Sequence, residues 1–366
     1  MNKLNFLIKL YYPVNALFTK LLPKTRLFIV MHKYFLHLID SKRHELINEI
    51  ALKELELLLK TKHKKVTLVW DCLSSPVTYG DFIDFCMFAR YVKSINYEII
   101  FYIAADKFRN DWNAVYPNLE RKEWFLNELK SIGEYFLDGT KINIQKKFSE
   151  INLDRKYSYT PFLKNICSRS DPHVFKYATL MTEIQQIRMP SQEFLLKSYN
   201  REQLFNIENY ITWHIRGSSV HSSAEDEKPE DILEFYKIIS SSTDLPILVI
   251  SSHGALPYLK NILGNKNNVF FSKDSHKGFL SDVKLIMGSK LYIQCGWGGM
   301  WTFPVCSDLP FIGPPIERSH APWERLKMHV KNDFKIRPWA SNQQHTFSDI
   351  EDFKSKLKLL VSTLNI

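Results

Sequence analysis

The chain has 366 residues and a formal net charge of +10, with 45% hydrophobic and 24% charged residues. This length exceeds the size at which a single hydrophobic core usually stops growing, so two domains are expected. The composition is typical of a globular protein and excludes a largely disordered one. The five cysteines are widely spaced, which predicts reduced thiols in a cytoplasmic protein, with neither a disulfide framework nor a zinc site.

The N-terminal segment is basic and apolar, and no acidic residue occurs before Asp40. Pro13 and Pro23 divide it into short amphipathic helices, and no apolar run reaches the roughly 20 residues that span a bilayer. We therefore expect a helical extension over residues 1–62 that lies on an anionic membrane surface through residues 1–40, on the inner face of the cytoplasmic membrane. A packed extension with solvated lysines is the alternative. No zinc-finger spacing or RNA-binding aromatic signature indicates nucleic acid as a partner.

The next segment, residues 63–190, alternates short runs of β-branched residues with apolar helical patterns. The predicted elements, in chain order, are strand Lys65–Asp71, helix Tyr79–Ser94, strand Tyr97–Ala104 and helix Leu119–Phe136. Strand, helix and strand at this spacing predict a βαβ unit with a parallel sheet. Residues 141–209 carry few strand signals, and we interpret them as the end of this domain and a connection.

A second α/β series is predicted over residues 191–345, followed by a C-terminal helix over residues 346–366. Its strands are Tyr210–Arg216, Leu245–Ser251, Asn268–Phe271, Lys290–Cys295 and Pro310–Gly313, and its helices are Ser191–Phe205, Glu230–Ser240, Ala255–Leu263, Gly278–Gly288 and one that starts at Gly298. The expected fold class is therefore α/β, with two Rossmann-like domains facing a cleft. Ligands of such sheets bind at the carboxyl ends of the strands.

The strand that ends in His214-Ile-Arg216 carries the most informative motif. A strand that delivers Arg216 to its carboxyl end places a permanently charged group with five donors where a ligand binds, and a guanidinium matches a diphosphate bidentately. Arg216 paired with Glu225 or Asp226, as a clamp of the following loop, is the alternative.

The order of three motifs in this domain resembles the nucleotide-binding half of fucosyltransferase-like GT-B glycosyltransferases, and more loosely bacterial surface-polysaccharide transferases. The motifs are the His-x-Arg strand end, Ile250-Ser-Ser252, and the helix Ser281–Met287 before a strand and a Gly-rich loop. The resemblance covers residues 211–315, and it implies that Arg216 holds the pyrophosphate of a nucleotide-sugar donor. Gly217 and two serines follow Arg216, where such sequences usually carry a second Arg or an acid.

Other residues at the same edge are candidates for the nucleotide-sugar site. Gly298 and Gly299 belong to a strand-to-helix turn that can approach a phosphate closely, although a tight turn packing Trp297 into the core is the alternative. The full set of candidates is His214, Arg216, Ser218, Ser252, Lys273, Ser281, Asp282, Trp297, Gly298, Gly299 and Glu317.

In the first domain, Asp71 ends a strand and Asp81 lies in the loop and helix that follow. Either carboxylate could take the proton of an acceptor hydroxyl, although Asp81 is also the kind of acid that a helix N-terminus favours. Tyr79 and Arg109 are candidate acceptor-binding residues, with loop capping as the alternative for Arg109. No metal-binding motif is present, and neither a metal nor another cofactor is expected.

These observations predict a metal-independent glycosyltransferase, of hexosyl or deoxyhexosyl groups, that moves a sugar from a nucleotide-diphosphate donor to a glycan or lipid-linked acceptor in cell-surface polysaccharide synthesis. Two alternatives remain open. One is a nucleotide-sugar epimerase or other phosphosugar enzyme on the same plan. The other is a catalytically degenerate module that binds a glycan or a partner.

Overall fold

A computed structural model describes residues 60, 64–75, 77–153, 158–160, 176–177, 207–216, 227–274, 278–295, 300, 304, 307–313 and 343–366. The predicted N-terminal extension (apart from Lys60), the helix predicted over Ser191–Phe205 and the helix predicted to start at Gly298 lie outside the described residues. So do the predicted site residues Ser218, Trp297, Gly298, Gly299 and Glu317.

The first domain is built on a five-stranded sheet in the order β3-β2-β1-β4-β5, and all its pairings are parallel. Its strands are β1 (Lys65–Asp71), β2 (Glu98–Ala104), β3 (Ile142–Gln145), β4 (Ser158–Thr160) and β5 (Lys176–Tyr177), and its helices are α1 (Tyr79–Ser94), α2 (Asn110–Val115) and α3 (Leu119–Phe136). The predicted βαβ unit is confirmed, because β1 and β2 pair in parallel along their full lengths.

The helices α1 and α3 bury apolar residues against one face of this sheet. Phe82 of α1 and Leu129 of α3 share a core with Leu68, Trp70 and Phe101 of the strands. The Trp70 ring packs edge-on against Phe82, with ring centroids 5.1 Å apart. Burial of such large side chains is the main favourable term in folding, so this layer holds α1 and α3 against the sheet.

The second domain is built on a six-stranded sheet in the order β11-β10-β9-β6-β7-β8, again with parallel pairings. Its strands are β6 (Ile211–His214), β7 (Ile247–Ile250), β8 (Val269–Phe271), β9 (Tyr292–Gln294), β10 (Phe311–Gly313) and β11 (Gln344–Thr346), and its helices are α4 (Pro229–Ser242), α5 (Leu256–Leu263), α6 (Phe279–Met287) and α7 (Ile350–Leu364). Counted within the domain, this strand order is 3-2-1-4-5-6, that of the Rossmann fold.

Apolar residues cover both faces of this second sheet. The helices α4, α5 and α7 bury one face, on which Trp213 and Ile293 lie. The helix α6 covers the other face, on which Ile250 and Tyr292 lie, and this layer is continuous with the core of the first domain. The predicted α/β class with two Rossmann-like domains is therefore confirmed.

The C-terminal helix α7 packs on the second domain. Phe353 of α7 contacts Phe235 of α4 edge-on, with ring centroids 4.9 Å apart, and also contacts Phe347. Asp349 caps the helix by accepting from the Asp352 backbone N–H at 2.9 Å. Among the described residues, no helix is both long and apolar enough to cross a bilayer.

Candidate functional site

Each sheet has one position where the connections leave in opposite directions, and ligands of open α/β sheets bind there, outside the carboxyl ends of the strands. In the first sheet this switch point lies between β1 and β4, and in the second it lies between β6 and β9. We call the residues that follow β1 and β2 the first carboxyl edge, and those that follow β6, β7, β8 and β9 the second carboxyl edge. The topology therefore singles out the residues that follow Asp71, His214 and Gln294; residues 296–299, after the last of these, lie outside the described residues.

The two carboxyl edges meet at one aromatic contact. Tyr79 begins the helix after β1, and Phe279 begins the helix after β8. Their rings stack with centroids 3.6 Å apart and planes 5° from parallel. Because a helix that follows a parallel strand starts near the carboxyl end of the sheet, this stack joins the carboxyl edges of the two domains.

His214 ends β6 at the switch point of the second sheet and is buried, with 8% of its surface exposed. Burial lowers the pKa of the imidazole to about 3, and the positive charge of Arg216 adds to this effect. Its Nδ1 atom has no hydrogen-bond partner among the described residues. The ring is therefore neutral at neutral pH, and one of its nitrogens is available to a ligand or to the adjoining loops.

Arg216 follows β6 by two residues and is half-buried. Its backbone N–H donates to the Glu227 carboxylate at 3.2 Å, and its carbonyl accepts from the Glu227 N–H at 3.2 Å. Glu227, an acid that we did not select from the sequence, thus contacts the end of this strand segment through both its side chain and its backbone. Both contacts use the backbone of Arg216 and not its guanidinium. The alternative considered from the sequence, an ion pair of the guanidinium with Glu225 or Asp226, involves acids that lie outside the described residues.

Gln294 is a further residue of this switch point that the sequence reasoning missed. It ends β9 opposite His214 in the strand register and is 1% exposed. Its side-chain oxygen accepts from the Tyr292 hydroxyl at 2.6 Å. The available signal was a glutamine inside an otherwise apolar strand run, since a buried amide needs hydrogen-bond partners. Beside it, burial raises the pKa of the Cys295 thiol well above its ordinary value, so this cysteine is a neutral thiol.

Ser252 follows β7 and is exposed. Its hydroxyl accepts from the Ala255 N–H at 3.2 Å, within the turn directly before α5. Ser281 lies in the first turn of α6 and is half-buried. The structure therefore places both serines near the second carboxyl edge, with the hydroxyl of Ser252 engaged in the turn before α5.

Lys273 and Asp282 form an ion pair in which the two side chains are only 5% and 4% exposed. Burial raises the pKa of the Asp282 carboxyl, and Lys273 acts in the opposite direction. This buried pairing argues against direct ligand contact by either side chain, contrary to the expectation from the sequence. It ties the turn after β8 to α6.

At the first carboxyl edge, Asp71 is 2% exposed. Its carboxylate accepts from the Leu73 N–H and from the Ser74 hydroxyl, each at 3.2 Å. Asp71 therefore organises the turn that follows β1. Ser75 in the same turn is fully buried, and its hydroxyl has no hydrogen-bond partner among the described residues.

Asp81 lies in the first turn of α1 and accepts from the hydroxyl of Thr78, directly before the helix. This is the arrangement of an acid favoured at a helix N-terminus, the alternative considered for Asp81. Arg109 pairs with Asp111 through two nitrogens at 3.0 Å and donates to the Ser74 carbonyl at 3.4 Å. These contacts favour the loop-capping alternative for Arg109.

Tyr79 lies at the domain boundary, where its ring stacks on Phe279. It also contacts Phe125 edge-on, with ring centroids 4.8 Å apart. Burial raises the pKa of its hydroxyl, with the nearby Tyr116, Glu128 and Asp282 adding to the effect. The residue is therefore a neutral part of the interdomain contact. No group of His, Cys, Asp and Glu in the described part of the chain has an arrangement that could hold a metal ion.

Comparisons with known proteins give structural neighbours only. No protein-family model matches the sequence, and no curated protein sequence matches it. Similar solved structures include a glycosyl transferase family 9 protein from Veillonella parvula (10% identity, 82% of this chain and 97% of that chain, TM-score 0.42). They also include the ADP-heptose lps heptosyltransferase II of E. coli (12% identity, 82% of this chain and 100% of that chain, TM-score 0.42). A third is the UDP-GlcNAc 2-epimerase of Methanocaldococcus jannaschii (11% identity, 82% of this chain and 93% of that chain, TM-score 0.36).

At these identities and scores the likeness concerns the overall course of the chain and says nothing about individual site residues. The neighbours include glycosyltransferases as well as an epimerase.

Proposed function

We propose that the protein is a glycosyltransferase that transfers a sugar from a nucleotide-diphosphate donor to a glycan or lipid-linked acceptor. The observation that carries this proposal is the composition of the second switch point, between β6 and β9. There the neutral imidazole of His214 and the residue Arg216 stand at the position where a Rossmann-type sheet binds nucleotides. A guanidinium grips a diphosphate bidentately, and the neutral ring can exchange a hydrogen bond with a hydroxyl of the donor.

In this proposal the two domains divide the work. The second carboxyl edge binds the donor, and Arg216 stabilises the charge that develops on the leaving diphosphate, so the reaction needs no divalent ion. The first carboxyl edge contributes to the acceptor side, and contact between the edges excludes water from the reacting centre. Residues 1–40 bring the enzyme to an anionic membrane surface where a lipid-linked acceptor is presented.

The test of donor binding is a thermal-shift and calorimetric panel of nucleoside diphosphates and their sugars on the full chain. We expect one nucleoside diphosphate and its sugar to bind, and Arg216→Ala to weaken this binding by about 1.5–3 kcal/mol, roughly 10- to 150-fold in Kd. Arg216→Lys keeps the charge without the bidentate geometry, so its nucleotide affinity should lie between those of the wild type and Arg216→Ala. Arg121→Ala removes an exposed guanidinium from the first domain and serves as the matched control.

Two results would contradict the proposal. If no nucleotide binds the wild-type chain, a glycan- or partner-binding module is favoured instead. If a nucleotide sugar is converted without any acceptor, epimerisation replaces transfer as the reaction, and product analysis with and without added acceptor separates the two.

A further inference from the structure

The helix α6 begins without a capping side chain of its own. Its N-cap residue is Gly278, and no side-chain cap hydrogen bond is made there. By contrast, α3 and α7 are capped within their own domains by Asn118 and Asp349. The first backbone N–H groups of a helix need hydrogen-bond acceptors outside the helical ladder. The acceptor used by α6 therefore shows which element contacts its N-terminus.

That partner is Glu128, which lies in α3 of the first domain. Its carboxylate accepts from the Phe279 N–H at 2.9 Å, across 151 positions of the sequence. A carboxylate at a helix N-terminus is favoured both by the hydrogen bond and by the helix dipole. The start of a second-domain helix is thus stabilised by a charge from the first domain.

The same residue of α6 makes the aromatic contact between the domains. Phe279 uses its backbone to bind Glu128 and its ring to stack on Tyr79 of α1. We call these three residues, Tyr79, Glu128 and Phe279, the interdomain clasp. It fixes α6 against two first-domain helices, α1 and α3, at the point where the two carboxyl edges adjoin.

We propose that Glu128 is a positioning residue that acts through α6 to hold the two carboxyl edges together, and so brings the donor and acceptor sides into register. The functional part of this inference rests on the proposed transferase activity, whereas the structural part does not. Since Glu128 touches neither His214 nor Arg216 in any contact described above, its loss should leave donor affinity nearly unchanged while slowing transfer.

Variants of Glu128 in the full chain test the structural part. Glu128→Gln keeps an acceptor oxygen and should preserve the contact, Glu128→Ala removes it, and Glu128→Lys adds a charge that a helix N-terminus disfavours. Hydrogen exchange of the peptide covering residues 278–287 should speed up in the order Gln, Ala, Lys, by about tenfold or more for Ala. Peptides of β6 and β7 should not change.

Glu123→Ala is the matched control, because Glu123 lies on the same helix α3 but pairs with Lys146 of its own domain at 2.7 Å. We expect exchange in residues 278–287 to remain at the wild-type rate in this variant. Phe279→Leu provides a second route, since it keeps the backbone N–H and removes the ring stack; it should also loosen the N-terminal turn of α6.

Kinetics test the functional part. For Glu128→Ala we expect donor Kd within about twofold of wild type and kcat lowered by roughly tenfold, with Glu128→Gln restoring most of the rate. The inference is overturned if residues 278–287 exchange at the wild-type rate in all Glu128 variants. It is also overturned if protection from exchange falls equally throughout the chain. If the clasp behaves as expected but no nucleotide binds the wild-type protein, the proposed function fails and the clasp stands as an interdomain contact.

Discussion

At the first carboxyl edge the charged groups are engaged by their own loops, whereas at the second a buried imidazole nitrogen has no partner among the described residues. Asp71 caps the turn after β1, and Arg109 pairs with Asp111 and the Ser74 carbonyl. His214 instead ends β6 with an unpartnered Nδ1 in the described part of the chain. Buried polar groups normally find hydrogen bonds, and the buried hydroxyl of Ser75 at the first edge likewise has no partner among the described residues. The contrast therefore concerns the titratable groups: Asp71 and Arg109 are held in structural contacts, whereas no described residue holds the Nδ1 atom of His214.

The buried pair Lys273–Asp282 tests whether a charge at the second edge serves stability or ligand binding. Lys273→Met leaves Asp282 buried without its cation, and we expect the free energy of unfolding to fall by about 3–5 kcal/mol at neutral pH. Urea denaturation measures this loss, and Lys273→Met combined with Asp282→Leu should recover much of it. Nucleotide affinity of the folded molecules should stay at the wild-type value; a drop like that of Arg216→Ala would return Lys273 to the ligand site.

The neutral imidazole at the second edge predicts a dependence of stability on pH. Burial, aided by Arg216, holds the pKa of His214 at about 3 in the folded protein, against an ordinary value of 6.5. Below pH 6.5 the unfolded chain therefore takes up a proton that the folded chain does not, and stability present above this pH is lost as the pH falls towards 3. Relative to His214→Gln, the wild-type free energy of unfolding should fall by about 1.4 kcal/mol per pH unit within this window.

Denaturation curves of the two proteins at several pH values between 4 and 7.5 provide this measurement. Carboxylates titrate in both proteins alike, so the difference between the curves isolates His214. Parallel pH profiles would mean that the folded imidazole takes up its proton in the same pH range as the unfolded one, and that the contrast between the two edges is smaller than the structure indicates. A bound nucleotide that accepts from or donates to this ring should shift the profile.

Asp71 tests the other side of the comparison. Asp71→Ala removes the acceptor of the Leu73 N–H and the Ser74 hydroxyl, and should lower the free energy of unfolding by about 1–3 kcal/mol. Asp71→Asn keeps an acceptor oxygen and should be closer to wild type in stability. If Asp71 only organises its turn, transfer by the Asn variant should stay within a few-fold of wild type. A loss of turnover of 100-fold or more in a stable Asn variant would identify Asp71 as the catalytic base.

Much of the fold could be predicted from the sequence, because long elements with a strong apolar pattern dictate their own structure. The bounds of β1, α1 and α3 agree with the prediction, and those predicted strands and helices of the second domain that fall on described residues agree to within a few residues. Four strands were missed, Ile142–Gln145, Ser158–Thr160, Lys176–Tyr177 and Gln344–Thr346, and so was the short helix Asn110–Val115. All four strands are short, and each belongs to its sheet through pairing with a neighbour, β2, β1, β4 or β10, which no local pattern records.

The candidate site was predicted less well than the fold, for a physical reason. Position at a strand end is readable from sequence, so His214 and Arg216 were placed at the correct edge. Whether a charged side chain faces a ligand or a neighbour depends on contacts between distant segments, such as Lys273 with Asp282. Glu128 and Phe279, which are 151 positions apart, could not be connected without the structure.

Arg109→Ala, compared with Arg216→Ala, has the smallest expected effect of the variants that compare the two edges. Like Arg216, Arg109 follows a strand at a carboxyl edge, but its guanidinium pairs with Asp111, with both side chains 32% exposed. A pair this exposed contributes little, so Arg109→Ala should lower the free energy of unfolding by less than about 1 kcal/mol. Its effect on nucleotide affinity should be negligible, in contrast to the matched substitution Arg216→Ala. If acceptor KM nevertheless rises several-fold in Arg109→Ala while donor Kd is unchanged, the guanidinium exchanges Asp111 for the acceptor, and the first edge binds a ligand as well.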